Sequence, residues 1–255
     1  MKINKIYNED CLETMQRMPD NFVDYVLTSP PYNIGGNNMN DNSRIEKTKN
    51  NKESKYKNLY YNYDDDNTNY KENQFKIINE LLRVTKNHIF YNIQMLGGNK
   101  EFFFDFISVY KKNIKDVIIW NKNPIPHINK GVINSAFEFI IILSNQNPEK
   151  KTFTDGNFKG NFNNIIKLNK TYLNKYSQYH KAVMQIELAR ILIQKFGDEN
   201  DIWYDCFTGV ETSSIASIKE KRNFLGSEVS EKYVEISNER IKKEINQTKL
   251  FLLPF

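Results

Sequence analysis

Short apolar runs alternate with helical periodicities along most of this chain. Ile6-Tyr7 is a brief apolar start, Asn8-Glu9-Asp10 a turn, and Leu12, Met15 and Met18 recur at helical spacing. Pro19-Asp20-Asn21 breaks that helix, and Val23-Asp24-Tyr25-Val26-Leu27 follows as a compact strand. Ser29-Pro30-Pro31 must end the strand, because proline cannot continue a central ladder. From Glu72 onward, Phe75, Ile78, Leu82 and Val84 fit a helix, His88 to Asn92 a strand, and Phe102 to Tyr110 another helix. Val117 to Trp120 and Phe137 to Leu143 read as two further strands. Near the C-terminus come a helix over Glu187–Ile193 that stops near Gly197, a strand at Ile202-Trp203-Tyr204 and a helix from Ser213 to Lys221. A strand at Phe224–Glu228 and an amphipathic helix from Glu231 to Ile245 complete the series. Alternation of this kind predicts an α/β fold with a mostly parallel twisted sheet flanked by helices.

Two stretches break the pattern. Residues 35–70 are dominated by Asn, Lys, Asp and Tyr without apolar periodicity. They read as an inserted lid or, equally, as plain disorder. Residues 146–179 are polar and dotted with aromatics, among them Phe153, Phe158, Phe162, Tyr172 and Tyr176. Residues 1–34, 71–145 and 180–255 then form one domain interrupted by these two inserts.

Composition narrows the class. The 255 residues are 39% hydrophobic, enough for a sizeable core. No apolar run reaches the roughly 18 residues that suggest a membrane span. The N-terminus lacks the pattern of a signal peptide. Cys11 and Cys206 are far apart and show neither zinc spacing nor a disulfide framework, so no metal is expected and a reducing cytoplasm is the default. A net charge of +5 permits nucleic-acid binding without establishing it.

The most specific chemistry is Ser29-Pro30-Pro31-Tyr32 directly after a buried-looking strand. An exocyclic amino group is a poor nucleophile because its lone pair is delocalised into the base ring. Two acceptors that hold its hydrogens would favour a more tetrahedral nitrogen facing a methyl donor. The Ser29 side chain and the Pro30 carbonyl are suited to that role, and two prolines keep the carbonyl aimed. Tyr32 offers a flat face for a flipped base. Alone, the same four residues also describe an ordinary Pro-Pro turn.

The stretch resembles motif IV of the amino-methylating DNA methyltransferases, whose pattern is Asp, Asn or Ser followed by Pro-Pro and Tyr or Phe. Other segments agree in order. Asn8 to Leu12 lies upstream at the family's usual spacing. Asp205-Cys206-Phe207-Thr208-Gly209-Val210-Glu211-Thr212 is similar to the Asp-Pro-Phe-x-Gly-Ser-Gly-Thr cofactor loop. Phe224 to Glu228 resembles the acidic second strand. A catalytic loop preceding the cofactor loop is the order of the beta class. The resemblance implies a Rossmann-like fold and S-adenosylmethionine as methyl donor. It also implies that Asp205, Phe207, Thr208, Gly209 and Thr212 face the methionine end, Glu228 the ribose hydroxyls and Asp10 the adenine. Glu228 also reads as an ordinary strand-end carboxylate, and Asp10 as a residue that starts a helix. Glu211 departs from the family, which has glycine there. It adds bulk and charge near a carboxylate-bearing cofactor, and cofactor binding is expected to survive it because the other residues remain.

The 146–179 segment stands where family members carry target recognition, and Lys150, Lys151, Lys159, Lys170 and Tyr172 suit phosphate contact and stacking. A solvated linker is the plainer alternative. The expected partner is double-stranded DNA, with a homodimer and a cognate restriction endonuclease as further expectations. Neither cysteine lies in the Pro-Cys setting of carbon-methylating enzymes, so direct transfer to nitrogen is expected. Ser29 leans toward cytosine N4 and the Tyr-Asn-Ile-Gly continuation toward adenine N6, which is taken first. A non-catalytic partner subunit on the same fold and an RNA methyltransferase are the competing functions.

Overall fold

The computed structural model describes residues 1–33, 69–122, 131, 133, 135–168 and 184–251. One eight-stranded sheet runs through it in the order β1-β8-β7-β2-β3-β5-β4-β6. The strands are β1 (Lys5–Tyr7), β2 (Val23–Thr28), β3 (Thr85–Ile93), β4 (Ile114–Asn121), β5 (Phe137–Ser144), β6 (Ile165–Lys167), β7 (Ile202–Asp205) and β8 (Asn223–Ser227). Neighbours pair in parallel except around β5, which is antiparallel to both β3 and β4. The expected mostly parallel α/β sheet is therefore present, with one reversed strand inside it.

Helices cover both faces because both faces of the central strands are apolar. In β3, Ile89, Tyr91 and Ile93 face α1 (Cys11–Gln16), α2 (Tyr70–Val84) and α3 (Lys100–Val109), while Phe90 faces the other side. There it meets α4 (Ile186–Phe196), whose Leu188, Leu192, Ile193 and Phe196 lie on one helical stripe and are buried. Each such side chain contributes about 1.5–3 kcal/mol relative to leaving it in water. Tyr25, Trp203 and Phe90 stack in series on this face. A smaller cluster of Ile6, Ile215, Phe224, Val234 and Ile241 seats α5 (Thr212–Lys219) and α6 (Glu231–Phe251) at the β1 edge.

The 146–179 segment behaves differently from the sequence-based expectation in its described half. Phe153, Phe158 and Phe162 pack on Phe196 rather than standing in solvent. Asp155 accepts hydrogen bonds from the Tyr25 hydroxyl at 2.8 Å and pairs with buried His88 at 3.0 Å, pinning the loop to the start of β2 and β3. Residues 165–167 then add β6 to the sheet. Aromatics spaced irregularly in a loop carry no periodicity, so their burial is invisible in the sequence. The 35–70 insertion falls almost wholly outside the described residues.

The sheet reverses its direction of growth between β2 and β7. The chain leaves β2 toward β3 and leaves β7 toward β8, so the loops after β2 and β7 part and leave a crevice at the strand ends. Open α/β sheets bind ligands at such switch points. Gly226 lets one crevice wall close up: a Cβ there would lie 2.3 Å from Thr208 Cγ2. Gly226→Ala is expected to lower stability by roughly 1–3 kcal/mol, measured by chemical denaturation. Adding Thr208→Ser, which removes the opposing methyl, should restore most of the loss.

Candidate active site

A cleft of about 440 Å³ occupies the crevice. Its walls are the start of α1 with Asp10 and Cys11, the loop Ser29–Tyr32, Asn73 and Ile77 of α2, residues 205–210 with Thr212 and Ser213, and the β8 end through Glu228 to Tyr233. The volume lies within the range of small-molecule and cofactor sites, roughly 300–1,000 Å³. All the residues singled out as catalytic or cofactor-binding from sequence line this one cleft.

The two loops are joined through Asp205. Its carboxylate accepts from Thr28 Oγ1 at 2.8 Å, the Phe207 backbone N–H at 3.0 Å and Ser213 Oγ at 2.7 Å. Burial raises the Asp205 pKa, and these three donors oppose that rise. Asp205 thus shapes the loop instead of presenting a free carboxylate to a ligand. Thr28 is the residue immediately before Ser29, so the bond fixes the catalytic loop against the cofactor loop.

Glu228 closes the far side. One oxygen accepts from the Gly209 N–H and the other from the Ser230 N–H, both at 2.9 Å. Asn8 donates to the carbonyls of Glu228 and Val229 and so holds the end of β8. Burial pushes the Glu228 carboxyl up to about 7, against the two backbone N–H groups that favour its charge. Gly209 adopts φ +52°, a left-handed turn that suits glycine. Asp10 caps α1 by accepting from the Leu12 N–H at 2.8 Å, the helix-start reading, and also lines the cleft.

Glu211 is turned away from the cleft. It is fully buried and absent from the cleft wall, and neither carboxyl oxygen makes a hydrogen bond of ordinary geometry. Its φ of +69° is the left-handed conformation expected where relatives have glycine, costing a non-glycine residue about 1–2 kcal/mol. Burial raises its pKa to about 8; Asp205 and Glu228 add to the rise, and Ser214 and Arg240 offset part of it. The side chain is therefore mostly protonated at neutral pH and lies outside the cleft lining.

The catalytic loop is held from behind. Pro31 O accepts from the Tyr70 hydroxyl at 2.8 Å, and Asn33, at φ +50°, donates to Gly98 O. The Tyr32 ring lines the cleft, but its hydroxyl points inward, donating to Glu138 Oε2 at 2.9 Å and lying 3.2 Å from Ser29 Oγ. Asn92 Nδ2 lies within 3.2 Å of Ser29 Oγ, Tyr32 Oη and Glu138 Oε2, and Lys122 Nζ donates to Glu138 Oε1 at 2.8 Å. Sequence reading takes Phe137–Leu143 as plain core and passes over Asn92 and Glu138. The signal for Glu138 is a lone acid inside an otherwise apolar strand.

The lysines are not gathered here. Lys150 and Lys151 are exposed just after β5, beside the start of β3 and opposite the catalytic edge, where Lys115 Nζ donates to Lys150 O. Lys159 is exposed next to Phe158, which packs on Phe196. Lys170 and Tyr172 lie outside the described residues.

The Glu211 geometry has a measurable consequence. The folded protein holds the Glu211 proton up to about pH 8, whereas an unfolded chain releases it near 4.5. Stability present at low pH is therefore lost as pH rises through that window, by up to about 1.4 kcal/mol per pH unit. Denaturation at pH 5.5, 7 and 8.5 should show this decline, and Glu211→Gln should flatten it. Glu228 titrates in the same direction and leaves a residual slope.

Known proteins share these features. A family model described as DNA methylase, N6_N4_Mtase, matches residues 23–239. The orphan methyltransferase M.BamHII of Bacillus amyloliquefaciens is 25% identical over 52% of this chain and 64% of its own length. The chain thus spans just under two thirds of that relative. The type II methyltransferase M.BglII of Bacillus subtilis is 23% identical over 98% of this chain and 72% of its own. Among solved structures, the cytosine-N4-specific PvuII DNA methyltransferase superposes with a TM-score of 0.67 at 16% identity, covering 97% of this chain and 93% of that one. With the catalytic loop, the cofactor-type loop and the fold in agreement along most of its length, the chain belongs to the N6_N4_Mtase family of DNA methylases.

Proposed function

We propose that this protein transfers a methyl group to the exocyclic amino nitrogen of a base in double-stranded DNA, at adenine N6 before cytosine N4. The observation that carries the reading is the Thr28–Asp205 hydrogen bond, which sets Ser29-Pro30 and the 205–212 loop on facing walls of one cleft. S-adenosylmethionine supplies the methyl group when bound. The residues present fit it: Glu228 lines the cleft where it can accept from ribose hydroxyls, and the 205–210 loop with Thr212 and Ser213 forms the adjoining wall for the methionine end. Asp10 lines the cleft at the start of α1, close to the Glu228 end of β8, and is assigned to the adenine.

In this reading the base leaves the duplex and its amino hydrogens are held by Ser29 Oγ and Pro30 O beside the Tyr32 ring. Cys206 is not a nucleophile in this reading, because burial holds its thiol well above its usual pKa. DNA contact is assigned to the catalytic edge rather than to Lys150, Lys151 or Lys159. β6 ends at that edge, and Met184 lines the cleft. Lys170 and Tyr172 stand between these two points in sequence and are the proposed contacts. A cytoplasmic setting, a homodimer and a cognate restriction endonuclease belong to the same proposal. The homodimer is supported by Phe104 and Val109 standing exposed on α3, and the endonuclease by the type II naming of M.BglII. No helix among the described residues is long and apolar enough to cross a membrane.

Transfer of tritiated methyl from S-adenosylmethionine to duplex DNA tests the function, with nucleoside mass spectrometry naming the product. Wild type is expected to yield N6-methyladenine, and Ser29→Ala to lose at least about 100-fold in rate. N4-methylcytosine would change the base and keep the chemistry. No transfer by wild type would favour a non-catalytic subunit, and preference for RNA in competition would favour an RNA enzyme.

Cofactor affinity provides a second check. Glu228 titrates near 7 and must be ionised to accept fully from ribose hydroxyls. Calorimetry should show binding tighten by up to roughly tenfold between pH 6 and 8, and Glu228→Gln should abolish most of that dependence.

A further inference from the structure

The polar cluster behind the catalytic loop is more than a support. Glu138 is nearly buried in β5, and its carboxylate is the acceptor at the end of a chain of hydrogen-bonding groups. The Tyr32 hydroxyl donates to Glu138 Oε2 at 2.9 Å. That leaves the Tyr32 oxygen with its lone pairs toward Ser29 Oγ, 3.2 Å away. Lys122 on the other carboxylate oxygen balances the charge at 2.8 Å. Asn92 must turn its NH₂ rather than its carbonyl toward Glu138, at 2.7 Å, and the same nitrogen reaches Ser29 Oγ and Tyr32 Oη.

A hydroxyl has one hydrogen and two lone pairs, so the direction of such a chain is set by its ends. We propose that Glu138 is a positioning residue that orders the chain Ser29–Tyr32–Glu138 so that the Ser29 hydrogen points inward and an Oγ lone pair faces the substrate amino group. This deepens the function proposed above and rests on it. Glu138 does not touch the base and accepts no proton from it in this scheme. It ensures that Ser29 meets the amino group as an acceptor and not as a competing donor. Asn92 reinforces the order, since an amide nitrogen beside Ser29 Oγ leaves that inward position with donors and no rival acceptor other than Tyr32. Glutamine at 138 keeps the shape but can present an NH₂ group to Tyr32. The chain can then reverse: Tyr32 donates to Ser29, and the Ser29 hydrogen turns toward the substrate.

The test is a double-mutant cycle on single-turnover methyl transfer, using Glu138→Gln, Ser29→Ala and both together, with cofactor and DNA affinities measured alongside. Glu138→Gln is expected to slow transfer by roughly ten- to a hundredfold, the effect of one hydrogen bond to a charged group, while both affinities stay within about twofold. In the Ser29→Ala background the same change is expected to cost almost nothing further. A merely structural role would make the two losses multiply, and either that result or full activity of Glu138→Gln overturns the proposal. If Glu138→Gln does not fold, as a thermal melt would show, Tyr32→Phe replaces it in the cycle, because it keeps the ring and cuts the same chain. Absence of transfer by wild type is separate: it removes the proposed function itself, and the positioning role with it.

Discussion

Asp205 sits at the point where two loops from distant parts of the chain meet, and its surroundings exclude water. Its charge is tolerable only if protein donors replace the lost hydration, and three do so: a side chain from the catalytic strand, a backbone amide from its own loop and a serine from α5. Each donor belongs to a different piece of the site. The need to satisfy one carboxylate therefore fixes the catalytic loop, the cofactor-type loop and the following helix relative to each other. Removing any one donor would leave a buried acceptor short, a loss of about 1–3 kcal/mol, concentrated where geometry matters most.

Of the acidic side chains in or behind the cleft walls, four meet quite different surroundings. Asp205 is saturated by donors. Glu228 is held by two backbone amides yet still faces the cleft. Glu138 is matched by Lys122. Glu211 has only partial offset from Ser214 and Arg240, and burial raises its pKa to about 8. Type of residue alone would rank these four as equals, whereas their surroundings set them apart: three side-chain and backbone donors on one, two backbone amides on another, a lysine on a third and burial on the fourth.

Much of this was legible without coordinates. The central strands read clearly because their residues are apolar on both faces, and the Pro-Pro turn marks the end of β2 beyond dispute. Both loops were located because their residues follow strand ends in a characteristic order. What escaped has physical reasons. The direction in which Glu211 points depends on a left-handed backbone that residue identity does not reveal. Thr28 and Asp205 are 177 positions apart, and no local pattern announces their bond. Phe153, Phe158 and Phe162 are loop residues half-buried against the core, so their burial follows from what they land on, namely Phe196. Lys150 and Lys151 are singled out for their place in the 146–179 segment, and charge along a sequence says nothing of which end of a sheet it reaches.

The pairing of β1 with β8 has a bearing on how the molecule comes into being. Ile6 lies in register with Gly226, and the Tyr7 carbonyl receives the Glu228 N–H. β1 is thus made long before β8, the strand it pairs with, and the wall carrying Glu228 cannot form until β8 arrives. Contacts of such long sequence separation slow folding, but here they also act as a safeguard. A nascent or truncated chain carries the complete Ser29-Pro30-Pro31-Tyr32 loop without the means to hold a methyl donor beside it. The Glu228 side of the cleft is therefore complete only once β1 and β8 have paired.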